Sequence, residues 1–263
     1  MKKIAGCGMA VWLLYACSTV PLTGRKQMLL LPDSEIVSAS MVQYSDFIKS
    51  ASLSADKVKT ATVVRVGKRI AAATEDYLRQ NGLESEIAGL KWEFNLVKDS
   101  QANAFCMPGG KIVVYEGLLP LAPSDDELAV VLGHEVAHAI AKHSNERMSQ
   151  EVVAQYGAAI LHETLNRKSE AVQMLGNTVF GLSTKYGVML PYSRKHEYEA
   201  DYMGLILMTM AGYDPQKAVG FWQRMAEGNK GAPPEVLSTH PSDSNRIAEL
   251  QKRLPETEKY RPH

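Results

Sequence analysis

The chain has no excess of either charge. Its 29 Lys and Arg balance 29 Asp and Glu, so the formal net charge is zero. That balance removes the electrostatic case for a polyanionic partner, and nucleic acid is not expected. Cysteine is scarce. Cys7 and Cys17 fall in the first residues and Cys106 stands alone, which leaves no disulfide framework. Cys106 is expected as a small buried apolar side chain. Long hydrophobic runs are missing as well. The stretch from Ile4 to Tyr15 is apolar but falls short of the about twenty residues that span a bilayer. What remains is enough for a core. Of the 263 residues, 45% are hydrophobic, and the length allows one large domain or a domain with a small appendage.

The first residues read as a targeting segment. Met1-Lys2-Lys3 is a positive start, followed by the short apolar stretch. Leu14-Tyr15-Ala16-Cys17 resembles a bacterial lipobox, with Tyr15 where a small residue is usual. Cleavage there would leave Cys17 as a lipidated N-terminus. Ser18 after it implies the outer membrane by the sorting rule for such lipoproteins. Residues 1–16 are therefore expected to be a signal peptide. Residues 17–32, with Pro21, Gly24 and Pro32 opposing helix, are expected to be a tether and extended arm. Residues 33–254 form the main domain, and 255–263 a flexible tail.

The domain is organised around His134-Glu135-Val136-Ala137-His138. On a helix, this spacing sets two imidazoles on one face, where both can reach one zinc ion. Glu135, beside the first ligand, can take a proton from a water on the metal. Ser124 to Glu127 reads as a capping box, and the helix is expected to run to about Met148. His143, five residues past His138, is expected at the surface or the last turn of that helix.

Zinc needs a third protein ligand and an open fourth position. A second predicted helix, opened by Ser193-Arg194, carries Glu197 and Asp201 on one face. Glu197 is expected as the third ligand. Asp201 is expected to accept from the free ring N–H of a ligand histidine. His196 and Glu199 are expected to face solvent.

Before the zinc helix the pattern changes to strands. Trp92, Phe94 and Leu96 alternate with polar residues, Ala102 to Cys106 and Lys111 to Tyr115 follow, and Met107-Pro108-Gly109-Gly110 turns between them. Asn103-Ala104-Phe105 is the candidate edge for an extended substrate, with a plain structural hairpin as the alternative. Helices are predicted over about 33–50 and 55–80, the latter with an apolar face of Val58, Val63, Val66, Ile70, Ala73, Tyr77 and Leu78. Small residues punctuate 150–190, consistent with a mobile flap or with close-packed helices. Further helices start at Asp214-Pro215 and near Ser242. The fold class is α+β, mainly α, with a small antiparallel sheet beside the zinc helix.

Taken together, HEVAH, Glu197-x-x-Ala200-Asp201 after Ser193-Arg194, and Thr239-His240-Pro241 with Arg246 resemble a known zinc peptidase family. It includes the HtpX heat-shock protease and the CAAX prenyl endopeptidase. The lipobox and Pro21-Leu22-Thr23-Gly24-Arg25 look most like its periplasmic branch, the BepA-like and Oma-like metallopeptidases. The resemblance implies a gluzincin fold with one zinc ion on His134, His138 and Glu197, and Glu135 as general base and acid. It implies Asn103-Ala104-Phe105 as a substrate-edge strand. It implies His240 near the metal, stabilising an oxyanion or capping a resting site, and Arg246 holding substrate or transition state. The expected activity is endopeptidase cleavage of polypeptides in the bacterial envelope, misfolded ones included, with membrane contact through the lipid anchor alone. The alternative is a non-catalytic or latent chaperone with a capped zinc.

Overall fold

The computed structural model describes residues 17–152, 193–227 and 244–262. The expected signal peptide, residues 153–192 with most of the Gly-punctuated 150–190 stretch, and residues 228–243 with His240 lie outside the described residues.

The arm is a hairpin rather than a tether. Strands β1 (Cys17–Thr19) and β2 (Lys26–Met28) pair antiparallel, with Ser18 opposite Gln27. Val20, between them, is buried in the main core. Helix α1 (Asp33–Ser50) follows with Pro32 at its N-cap. Asp33 accepts from Asn145 Nδ2 and pairs with Lys142. Helix α2 (Lys57–Gln80) is capped by Asp56, which accepts from the amides of Val58 and Lys59. Val63, Val66, Ile70 and Leu78 are buried as the spacing predicts, but Val58, in the first turn, is 78% exposed. One short turn of helix, α3 (Glu84–Ile87), leads to the sheet.

The sheet is mixed, not purely antiparallel. Strands β3 (Glu93–Val97), β4 (Ala104–Met107) and β5 (Lys111–Tyr115) lie in the order β3-β5-β4. The chain crosses from β3 to the far edge and returns through Pro108-Gly109-Gly110. Both glycines there have positive φ, 89° and 81°, which other residues rarely adopt. The return inserts β5 parallel to β3 and antiparallel to β4. Side chains then alternate between faces. Phe94, Leu96, Ile112 and Val114 join the main core, while Val97, Met107, Val113 and Tyr115 pack with Ile36 and Tyr44 of α1.

Helix α4 (Asp125–Ile140) begins with the expected capping box of Ser124 and Glu127. It stops sooner than the pattern predicts. Lys142 sits at φ 54°, which ends the helix, and a new one, α5, starts at 143 and runs through 152. Helix α6 (Arg194–Met210) is capped by Ser193, α7 spans Lys217–Glu227, and α8 spans Ser244–Thr257. Helix α8 passes through Pro255, and Thr257 is buried, so regular structure continues beyond the expected stop at 254. No described helix is long and apolar enough to cross a membrane.

Helix α4 lies at the centre. Its Leu128, Leu132 and Val136 meet residues from α2, the sheet, α6 and α7 in one core. Twelve of its residues are buried, the HEVAH stretch entirely. A helix apolar almost all round is a central one. Polar groups at its middle must therefore find partners inside the protein.

Candidate metal centre

Two helices, α4 and α6, supply the partners. They touch through backbone. A Cβ on Gly133 would lie 2.8 Å from the Gly204 carbonyl oxygen, and one on Gly204 would lie 2.9 Å from the His134 nitrogen. Only glycine permits this approach, and it brings the first turns of α6 against HEVAH.

One nitrogen from each of His134 and His138 and one oxygen from Glu197 lie within 4.8 Å of one another. The Nε2 atoms are 3.1 Å apart, and each lies 3.4 Å or 3.5 Å from a Glu197 carboxylate oxygen. Donors bound tetrahedrally at about 2.0–2.1 Å from one centre lie roughly 3.3 Å apart, so the spacing fits zinc. The donor set of two imidazoles and one carboxylate fits as well, and it leaves a coordination position for water. Glu135 is 2% exposed on the same helix, between the two histidines in sequence.

The outer nitrogen of His134 is held as the sequence predicts. Its Nδ1 lies 3.0 Å from Asp201 Oδ1. Arg246 then grips both Asp201 oxygens, Nε donating at 2.5 Å and Nη2 at 2.8 Å, and its Nη1 lies 3.3 Å from Glu197. The Arg246 guanidinium is 1% exposed and lies 3.9 Å over the Trp222 ring. Its geometry is that of a clamp on two carboxylates, a different use from the expected grip on substrate. Burial disfavours the imidazolium of His134, but Asp201 and Glu197 outweigh it and raise the pKa to about 9. Burial pushes His138 the other way, well below the ordinary value, against the pull of Glu197.

His143, His196 and Glu199 overturn the surface expectation. All three are buried. The break at Lys142 swings His143 back under His138, where the two Nδ1 atoms lie 2.9 Å apart. His143 Nε2 lies 3.0 Å from Glu199 Oε2. Burial lowers its pKa to about 4, with Glu199 opposing, so the ring is neutral near pH 7. Glu199 also accepts from Thr23 Oγ1 and Arg25 Nε, each at 2.6 Å. Arg25 makes a second, two-pronged pair with Glu146, whose other partner is His196 at 3.1 Å. Burial raises the Glu146 carboxyl, but His196 and Arg25 overcome this and hold it at about 2.

In the comparison with known families, residues 63–254 match Peptidase family M48. The chain belongs to this family. Relatives of known name include the mitochondrial metalloendopeptidase OMA1 of Schizosaccharomyces pombe, 39% identical over 201 residues, 76% of this chain and 54% of the relative. The mitochondrial metalloendopeptidase OMA1 of Bos taurus is 31% identical over 247 residues, 92% of this chain and 46% of the relative. The beta-barrel assembly-enhancing protease of Escherichia coli is 27% identical over 171 residues, 62% of this chain and 34% of the relative. The chain thus spans about half or less of the length of these relatives. Within the M48 match fall His134, Glu135, His138, Glu197, Asp201 and Arg246. The arm residues Thr23 and Arg25, which reach the site through Glu199, precede it.

The substrate-edge candidate is placed in part. Strand β4 is an edge of its sheet and packs beside α4. The Asn103 carbonyl accepts from the Tyr115 amide and so faces β5. By antiparallel alternation, the backbone groups of Ala104 and Cys106 point away from β5. The Phe105 ring packs on the opposite sheet face, 5.4 Å from Phe47 and 6.3 Å from Tyr115. Cys106 is buried as expected, and burial, with Glu135 nearby, raises its thiol pKa well above the ordinary value.

Proposed function

We propose that the chain is a zinc-dependent endopeptidase of the bacterial cell envelope. Its substrates are polypeptides presented in extended form, misfolded envelope proteins among them. The observation that carries the reading is the convergence of three donor atoms from α4 and α6, with Glu135 on the helix that carries His134 and His138.

Zinc, when bound, supplies positive charge to polarise a scissile carbonyl and to acidify a water molecule to near neutral pH. His134, His138 and Glu197 hold it. Glu135 removes the water proton as the oxygen attacks the carbonyl carbon, then delivers that proton to the amine as the C–N bond breaks. Asp201 and Arg246 keep His134 and Glu197 aimed. By the family resemblance, His240 would stabilise the oxyanion or cap a resting site. An extended substrate adds to the β4 edge through the backbone groups of Ala104 and Cys106, a contact that keeps Ala104 of the expected Asn103-Ala104-Phe105 stretch and shifts to Cys106.

The envelope assignment rests on the N-terminal segment and its lipobox-like Leu14-Tyr15-Ala16-Cys17. A lipid on Cys17 would anchor the domain to the outer membrane. The relatives include both mitochondrial and bacterial proteins. The test is incubation of the purified protein with denatured casein, with and without a chelator, and sequencing of the products. Chelator-sensitive cleavage at internal bonds is expected. Intact casein in the presence of zinc would refute the proposal.

A further inference from the structure

The support for His134 ends inside the domain, at Arg246. The support for His138 does not. When zinc takes Nε2, which faces the Glu197 carboxylate, the neutral His138 ring carries its one proton on Nδ1, and Nδ1 faces His143 Nδ1 at 2.9 Å. Two facing ring nitrogens share one proton. With zinc on His138 Nε2, the zinc reading sets the tautomers. His138 Nδ1–H donates, His143 Nδ1 accepts, and the His143 proton sits on Nε2, where it donates to Glu199 Oε2 at 3.0 Å. The Glu199 carboxylate is fixed in turn by Thr23 Oγ1 and Arg25 Nε, each at 2.6 Å. Arg25 is anchored by its two-pronged pair with Glu146.

We propose that His143 is a positioning residue for the metal ligand His138, and that Glu199, Thr23 and Arg25 extend this support to the N-terminal hairpin. The inference rests on the zinc reading above. It makes the hairpin part of the metal site, although its residues lie more than a hundred positions away in sequence from every ligand. A hydrogen bond to the outer nitrogen of a ligand histidine sets its tautomer and aim, and its loss commonly weakens metal binding by about 10–100-fold. A seated hairpin would therefore favour metal retention, and a displaced one metal loss.

The test measures zinc affinity by chelator competition, and the visible spectrum of the cobalt-substituted protein, on the full chain. The variants are His143→Ala, His143→Gln, the arm pair Thr23→Val with Arg25→Met, and the arm pair combined with each His143 variant. Loss of about tenfold or more is expected for His143→Ala, with a shifted cobalt spectrum. His143→Gln should retain more affinity, because an amide can accept from His138 and donate to Glu199. The arm pair should weaken binding when His143 is present and add nothing when His143 is alanine. If His143→Ala fails to fold, the same comparison is made on His143→Gln, where the arm pair should cost less than in the natural chain. Wild-type affinity and spectrum in the His143 variants, or arm and His143 losses that simply add, would overturn the inference. Should the natural chain itself bind no zinc, the function reading fails instead.

Discussion

Gly133 and Gly204 bring α4 and α6 together backbone to backbone, each in the space that a Cβ on the other would need. Glu197 and Asp201 reach His134 and His138 because this contact exists. Gly204→Ala places a methyl 2.9 Å from the His134 nitrogen, a backbone atom that cannot move aside without moving its helix. The expected cost is about 1–3 kcal/mol of stability, with weaker zinc binding, read from denaturation and from metal content after dialysis.

Arg246 supplies one positive charge to a pair of acids that are themselves 5% and 1% exposed. Arg246→Met keeps much of the packing on Trp222 but leaves Asp201 and Glu197 buried with only the His134 imidazolium as counter-charge. Removing one partner of a buried ion pair costs roughly 3–5 kcal/mol. Equilibrium denaturation of the metal-free protein should show a loss of that order. Unchanged stability would place Arg246 in some role other than clamping.

Metal uptake should release a proton. In the metal-free protein, Asp201 and Glu197 hold the His134 pKa near 9, so its ring is protonated at neutral pH. Zinc needs the neutral ring. The raised pKa thus favours the metal-free form below about pH 9, and zinc affinity should climb as pH rises towards that value. Titration of zinc into weakly buffered protein at pH 7 should release about one proton per metal from this ring. No proton release, with an affinity flat between pH 6 and 9, would contradict the assignment.

Much of the site was legible because its elements are local. HEVAH and the Glu197–Asp201 pair each lie within two turns of one helix, where spacing alone decides which side chains share a face. The capping box at Ser124 and the alternation in β3 are local in the same sense. The second half of the site was not legible, for a physical reason. His143 is buried because the chain reverses at Lys142, a non-glycine residue in the left-handed region, and nothing in the local pattern marks it. Glu199 and His196 look like surface residues until Arg25, Thr23 and Glu146 arrive from remote segments to satisfy them. The order β3-β5-β4 is likewise set by pairing across the chain, which periodicity does not encode.

The most direct measurement is made on Glu135→Gln, loaded with zinc and given denatured casein. Glu135 is separated from the metal donors only by its role as proton carrier, so the variant should hold one zinc per chain and cleave nothing detectable. Cleavage at the natural rate by a zinc-loaded variant would contradict the account, since the proton would then be moving through some other group.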